Sequence, residues 1–291
     1  ASDLLITPLR QLHVLEDPLG YFPKYEAVWV ARTAFVESHP AAWNALRKIE
    51  GTIDESTMLR LNAEADIEKK SFTAIASGFL GKTKVSTPSW MKEIATRTRE
   101  HLWLVGISLL FSIIVGIPLG VAAVRFRFAG QAILLVSGLV QTIPSLALLC
   151  FLIPLFGVGQ KPALVALCLY SLLPVVLNTF TGIRAIDVKH LENARAFGLT
   201  RTQILFRIVL PLSSPTLLAG VKTATIVSIG TATLAALVGA GGYGATIVSG
   251  LALNDIPTLL RGAIPAAVLA LLTHIAFEGI GKLVIPAGLR R

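Results

Sequence analysis

Charge is what this sequence has least of. Only 15% of its 291 residues are Asp, Glu, Lys or Arg, against about 25% in soluble domains, which excludes an ordinary water-soluble globule. Mean hydropathy is +0.71. The deficit is also one-sided. Residues 1–101 hold 13 basic and 13 acidic side chains, whereas 102–291 hold 13 basic and only 4 acidic ones, so the net charge of +9 sits in the apolar part. Basicity within apolar runs reads as membrane topology and not as a nucleic-acid surface. Cysteine is scarce as well: Cys150 and Cys168 both sit in apolar runs, which excludes a disulfide framework or a cysteine metal site. The five histidines, His13, His39, His101, His190 and His274, show no HExxH or paired ligand spacing, so no metal is expected. A GxxxxGK[ST] loop is missing too, which excludes ATP hydrolysis by this chain. No start methionine or leader precedes Ala1, and the chain is expected to open inside a folded domain.

What is present divides into two regions. Residues 1–85 read as a small soluble α/β segment, with strand composition at 12–17 and 25–30 separated by the turn formers Asp17, Pro18 and Gly20. Helices follow: Pro40 suits the first turn of one running to Gly51, Asp54 can cap one over 55–65, and Ser71 one ending near Gly81. Two strands and three helices make a poor core, which points to part of a larger lobe. A polar stretch, 86–101, then reads as an interfacial linker helix starting at Thr87-Pro88, with Trp90, Met91 and Ile94 toward lipid and Lys92, Arg97 and Arg99 toward headgroups.

From Leu102 the uncharged runs are long enough to span a bilayer. Residues 103–124 give 22 uncharged positions, about 33 Å of helix against a hydrocarbon core of roughly 30 Å. The run 128–160 is too long for one straight span, and a break or kink is expected near Pro144. Residues 162–183 form a span containing Pro174, and another covers about 217–238 before the non-helical "GAGGYG" (239–244). The last lies near 262–281 and contains His274 and Glu278. The expectation is a mainly α, polytopic membrane protein of about five transmembrane helices, preceded by the α/β segment. Ten basic residues (Arg125, Arg127, Arg184, Lys189, Arg195, Arg201, Arg207, Lys282, Arg290 and Arg291) fall in loops on one side, and two, Lys161 and Arg261, on the other. The crowded side is expected to be cytoplasmic, with the C-terminus there and the N-terminal segment periplasmic or extracellular.

The loop between the third and fourth spans, 187–208, is amphipathic and long for a connector. Gly198 can end a first short helix in the left-handed conformation, and Thr200 can cap a second. Two short helices at an angle make a knob able to pass a partner's motion into the bilayer. Elsewhere, Glu278 and Lys282 are four apart and can pair along the last helix. With His274, Glu278 suggests the alternative reading of an ion-coupled secondary carrier. A further alternative is a non-transporting ligand sensor.

Glu192, Ala194, Gly198 and the Leu210-Pro211 pair match the signature loop of ABC importer permeases, in which Glu-Ala-Ala is followed by three residues, Gly, and about a dozen residues to Leu-Pro. Asn193 stands where the pattern has Ala. The segments "TIPSLALL" (142–149), "LYSLLPVVLNT" (169–179) and "GTATLAALVGAGGYG" (230–244) resemble the permeases of osmoprotectant uptake systems for glycine betaine, choline and proline-type solutes. The resemblance implies that 187–208 docks on a separate cytoplasmic ATPase carrying ATP and Mg. It also implies a homodimer, in which kinked helices at Pro144 and Pro174 act as pathway hinges.

Residues 14–32 and 61–80 resemble the closing third of the binding proteins that serve such permeases. There, a tyrosine matching Tyr25 contributes to an aromatic cage around a quaternary ammonium group. Tyr21, Phe22 and Trp29 lie nearby in sequence, and Lys24 stands where the family has a second proline. A trimethylammonium group donates no strong N–H hydrogen bond, so ring faces, at roughly 0.5–2 kcal/mol each, are the means of holding it.

Overall fold

A computed structural model describes residues 21, 28–68, 70–81 and 89–290. The chain separates into two units, 1–87 and 88–291.

In the first unit the described residues form four short helices: α1 (Thr33–Ser38), α2 (Pro40–Arg47), α3 (Glu55–Asp66) and α4 (Phe72–Phe79). Their ends follow local chemistry. Pro40 opens α2, the Asp54 carboxylate accepts the Thr57 N–H at 2.8 Å, and the Ser71 hydroxyl accepts from Ala74. Those bonds from Thr57, with another from Ser56, hold the Asp54 carboxyl below its ordinary range. α1 has no counterpart in the sequence expectation. No strand occurs among the described residues. The segment 12–17 lies outside them, as does 25–27, and Val28, Trp29 and Val30 are irregular and exposed. Ile75 is the buried apolar residue among those described in this unit.

The second unit is a helical bundle. Its elements are α5 (Trp90–Arg125), α6 (Arg127–Thr142), α7 (Ser145–Phe156), α8 (Gln160–Arg184), α9 (Val188–Ala196), α10 (Arg201–Ile204), α11 (Leu210–Leu234), α12 (Tyr243–Ala252) and α13 (Ile256–Val284). Four helical rods are long and apolar enough to cross a membrane, and the bent pair α6 and α7 makes up to five. The linker expected at 86–101 is not a separate helix, because 90–101 is continuous with the first span in a single 36-residue helix. Nothing between Trp90 and Val105 breaks it, since no Gly or Pro occurs there. The fourth span likewise begins earlier than expected. α10 passes through a π-helical turn, Leu205–Val209, directly into α11, so the second knob helix and the span are one rod.

α8 is the centre of the bundle, packing on α5, α6, α7 and α11. The stripe that α5 buries is His101, Leu104, Val105, Ser108, Ser112, Gly116, Gly120 and Ala123, spaced by three and four. Leu110, Phe111 and Ile114 face outward. This inverts the pattern of a water-soluble helix: small and polar residues go inside because bulky apolar ones gain nothing by leaving lipid, and helices associate through close backbone approach. A Cβ on Gly120 would lie 2.5 Å from Thr179 Cβ, and one on Gly220 of α11 would lie 2.8 Å from the Pro174 carbonyl oxygen. Ser108, Ser112, Ser171 and Ser228 are satisfied locally or across helices. Ser112 Oγ lies 2.8 Å from Ser108 O and 3.1 Å from Cys168 O, and Ser171 and Ser228 hydroxyls bond to each other.

Because the seam has no room at Gly120, Gly120→Ala should lower stability by about 1–3 kcal/mol. Gly106→Ala, where a Cβ meets open space, should be neutral or slightly stabilising. Thermal unfolding of the two variants in detergent checks this, and equal midpoints would contradict the packing account.

Candidate functional site

The loop between α8 and α11 is built by capping. Asp187 accepts the Lys189 N–H at 2.9 Å and starts α9. The helix ends in a Schellman arrangement, with the Leu199 N–H on Ala194 O and the Gly198 N–H on Arg195 O, and Gly198 at φ +74°. Thr200 then opens α10 through a reciprocal capping box with Gln203. Ala194 is buried where α9 packs on α10 and the π-turn, which explains why a small residue stands there. Glu192 and Gly198 are exposed. Phe197, which sequence reasoning passed over, is 86% exposed at the tip of the knob. An aromatic beside the helix-ending glycine was the available signal.

The π-turn has its cause in the Leu210-Pro211 pair. Proline lacks an N–H, so Arg207 O loses its helical donor, and the backbone upstream widens until the Leu210 N–H reaches Leu205 O, five residues back. Leu210 and Pro211 therefore mark a discontinuity inside the rod that joins the knob to the fourth span.

Pro144 sits at a 99° bend between α6 and α7. The α6 side of the corner is tied twice to Tyr170 of α8, whose hydroxyl donates to Ile143 O and whose carbonyl accepts from Gln141 Nε2 at 2.7 Å. That carbonyl is open because of Pro174: lying four residues on, Pro174 supplies no N–H to Tyr170 O. α8 itself continues unbroken through Pro174. The two prolines thus act together, one making the corner and the other freeing the acceptor that anchors it.

Contacts far apart in sequence were not foreseen. At the "GAGGYG" turn, Gly239, Gly241 and Gly242 all have positive φ. Glu100 of α5 accepts the Gly242 N–H at 2.8 Å and pairs with Arg97 at 3.1 Å. Thr98 Oγ1 and Tyr243 OH lie 2.7 Å apart, and buried His101 places Nε2 3.1 Å from Ile229 O beneath the Tyr243 ring. Glu278 pairs with Lys222 of α11 at 2.8 Å and not with Lys282 as the i,i+4 spacing suggested. Lys222 lies inside a span, so its ammonium gains more from a carboxylate than Lys282, which is exposed. His274 is exposed on α13. Tyr25 and Phe22 lie outside the described residues, and Tyr21 and Trp29 are exposed.

Residues 109–287 match the family described as the binding-protein-dependent transport system inner membrane component. Residues 3–82 match the substrate binding domain of the ABC-type glycine betaine transport system. Among relatives, the chain is 39% identical over 199 residues to the choline transport system permease protein OpuBB of Bacillus subtilis, covering 68% of this chain and 92% of that one. It is 37% identical over 202 residues to the osmoprotectant import permease protein OsmW of Salmonella typhimurium, covering 68% and 94%. Its fold is similar to that of a chain of the MetNI methionine ABC transporter, with a TM-score of 0.62 at 22% identity over 69% of this chain and 100% of that one. The chain belongs to the binding-protein-dependent transport system inner membrane component family and is an ABC importer permease.

The link between the prolines is open to a double-mutant cycle. Gln141→Leu should cost about 1–3 kcal/mol by stranding the Tyr170 carbonyl. In a Pro174→Ala background, where the substituted residue regains an N–H that can donate to that carbonyl, the same change should cost less, with a coupling of at least about 0.5 kcal/mol by denaturant unfolding in detergent. Additive effects would separate the two prolines.

Proposed function

We propose that this permease takes up a compatible solute or quaternary amine such as glycine betaine, choline, carnitine or proline betaine. Two copies form a homodimer driven by cytoplasmic ATPase subunits that carry the ATP and Mg. The observation that carries the proposal is the knob of α9 and α10. It is a capped, rigid projection with an exposed aromatic tip, flanked by exposed Lys189, Arg195, Arg201 and Arg207, and it is continuous with a membrane rod. One chain supplies one such knob, and a pair of ATPases offers two docking grooves, which favours two-fold symmetry. Closure of the ATPases would draw the knobs together and swing α11 against α8, while the Pro144 corner and the Pro174 segment act as the hinges of alternating access. The relatives named as choline and osmoprotectant permeases, together with the substrate-binding-domain match at 3–82, support the solute class. The ten-to-two basic asymmetry supports a C-terminus inside the cytoplasmic membrane and an external N-terminal segment.

Coupling has a direct test. Glu192→Lys reverses charge on the knob, and Gly198→Val forces a β-branched residue to φ +74°, where a Cβ meets no neighbour, so its effect is conformational and not steric. Both should abolish ATP-dependent uptake in proteoliposomes containing the ATPase while leaving membrane insertion intact. Wild-type uptake by the double variant would refute the knob's role.

For the ligand, Tyr25→Ala in the full-length protein should weaken binding by about 0.5–2 kcal/mol, and Tyr25→Phe by less because the ring remains. Calorimetric titration with glycine betaine and choline reads this directly. Unchanged affinity in Tyr25→Ala would make that residue a packing side chain.

A further inference from the structure

A cavity of about 520 Å³ lies between α11 and α13 and is lined by both apolar and charged groups. Leu218 and Phe277 form its apolar wall, and Lys222, Lys282 and Arg290 bring three cations against the single carboxylate of Glu278. Lys222 is committed to Glu278 at 2.8 Å. Arg290 uses Nε to hold Ile285 O at 2.8 Å. Among the described residues no carboxylate lies within ion-pair distance of Lys282 or Arg290, so the cavity keeps an excess of positive charge.

Its depth follows from helix length. From Gly262, just past Arg261 on the opposite side, Glu278 lies 16 residues along α13, or about 24 Å at 1.5 Å per residue, and Lys282 lies 20 residues along, or about 30 Å, at the edge of a hydrocarbon core of roughly 30 Å. Lys222 lies 16 residues before Val238, where the fourth rod ends, or about 24 Å along it. It therefore sits just inside the hydrocarbon and reaches outward to the headgroup level. A pocket at that level, apolar on one wall and cationic at its rim, is complementary to one kind of molecule: a phosphodiester carrying acyl chains.

We propose that this cavity is a binding site for the headgroup of an anionic phospholipid. Lys282 and Arg290 hold the phosphate, and Leu218 and Phe277 lie along the first part of an acyl chain. The Lys222–Glu278 pair forms the floor and keeps the site from being purely cationic, so that it selects a lipid with net negative charge over a zwitterion by the remaining positive charge. Because α11 is continuous with the knob, a lipid seated there would touch the rod that moves in transport. The inference rests on the spans and the cavity, and it holds or fails independently of the solute carried.

The test is native mass spectrometry of the purified permease in detergent, titrated with phosphatidylglycerol, phosphatidylcholine or inorganic phosphate. Wild type should retain phosphatidylglycerol at least tenfold more tightly than phosphatidylcholine, and millimolar inorganic phosphate should not displace it. Lys282→Gln with Arg290→Gln should weaken phosphatidylglycerol at least tenfold. Arg125→Gln, which removes a basic residue outside the cavity, should not. Leu218→Trp, which fills the cavity and keeps every charge, should also release the lipid, whereas diffuse surface attraction would be unaffected by it. Retention by the double variant, retention by Leu218→Trp, or displacement by inorganic phosphate would each overturn the proposal.

Discussion

Everything in the membrane unit depends on how closely α5, α8 and α11 can approach one another. In lipid, apolar side chains have no reason to leave their surroundings, so the hydrophobic effect that would gather these helices in water is largely absent. What remains is contact between backbones, and contact requires residues that stay out of the way. Gly120 of α5 lies under Thr179 of α8, and Gly220 of α11 lies over the Pro174 carbonyl. The hydroxyls of Ser112, Ser171 and Ser228 fill the seam while satisfying themselves on carbonyls or on one another. Bulky residues such as Phe111 and Ile114 are left for the lipid.

The same arrangement explains how a chain with prolines inside its spans remains orderly at bilayer depth. Each proline removes a donor, and the carbonyl four residues earlier must find another. For Pro174 the replacement is the Gln141 amide, at 2.7 Å from Tyr170 O, and the bond also fixes the corner at Pro144. For Pro211 the replacement is a π-turn. The first solution joins two helices, and the second loosens one rod between the knob and the span. A rod anchored at Gly220 and given slack at Leu205–Val209 can transmit force while accommodating rotation at its foot.

Legibility from sequence followed distance along the chain. The break at Pro144, the left-handed Gly198, the Thr200 cap and the caps at Asp54 and Ser71 are written in four or five consecutive residues, and each was readable. The family resemblance around Glu192, Ala194, Gly198, Leu210 and Pro211 was equally local. The contacts Glu100 to Gly242, Gln141 to Tyr170 and Lys222 to Glu278 join residues separated by 142, 29 and 56 positions, and no periodicity announces them. The i,i+4 rule offered Lys282 to Glu278 because it considers one helix at a time. The merging of 90–101 with the first span was missed for a related reason: a change from polar to apolar composition marks where the solvent changes, not where a helix ends.

The placement of carboxylates decides between an externally driven permease and a carrier driven by its own protonation. Residues 102–291 contain four acidic side chains. Asp187 caps α9 and Asp255 caps α13, each accepting a backbone N–H from its own first turn. Glu278 is held by Lys222, six residues before the end of α13. The fourth, Glu192, stands exposed on the knob. None lies at mid-bilayer between helices, where a proton-coupled carrier places the group whose charge changes during the cycle. Opening and closing such a bundle requires free energy from elsewhere, and the feature that projects from it, α9 capped by exposed Phe197, is joined to the fourth span through the capped turn at Gly198 and the rod that follows with its π-turn. Family membership and physical layout therefore agree: the chain belongs to a family of ABC importer permeases, and its membrane unit carries a projecting knob that α11 joins to the bundle core at the Gly220 contact.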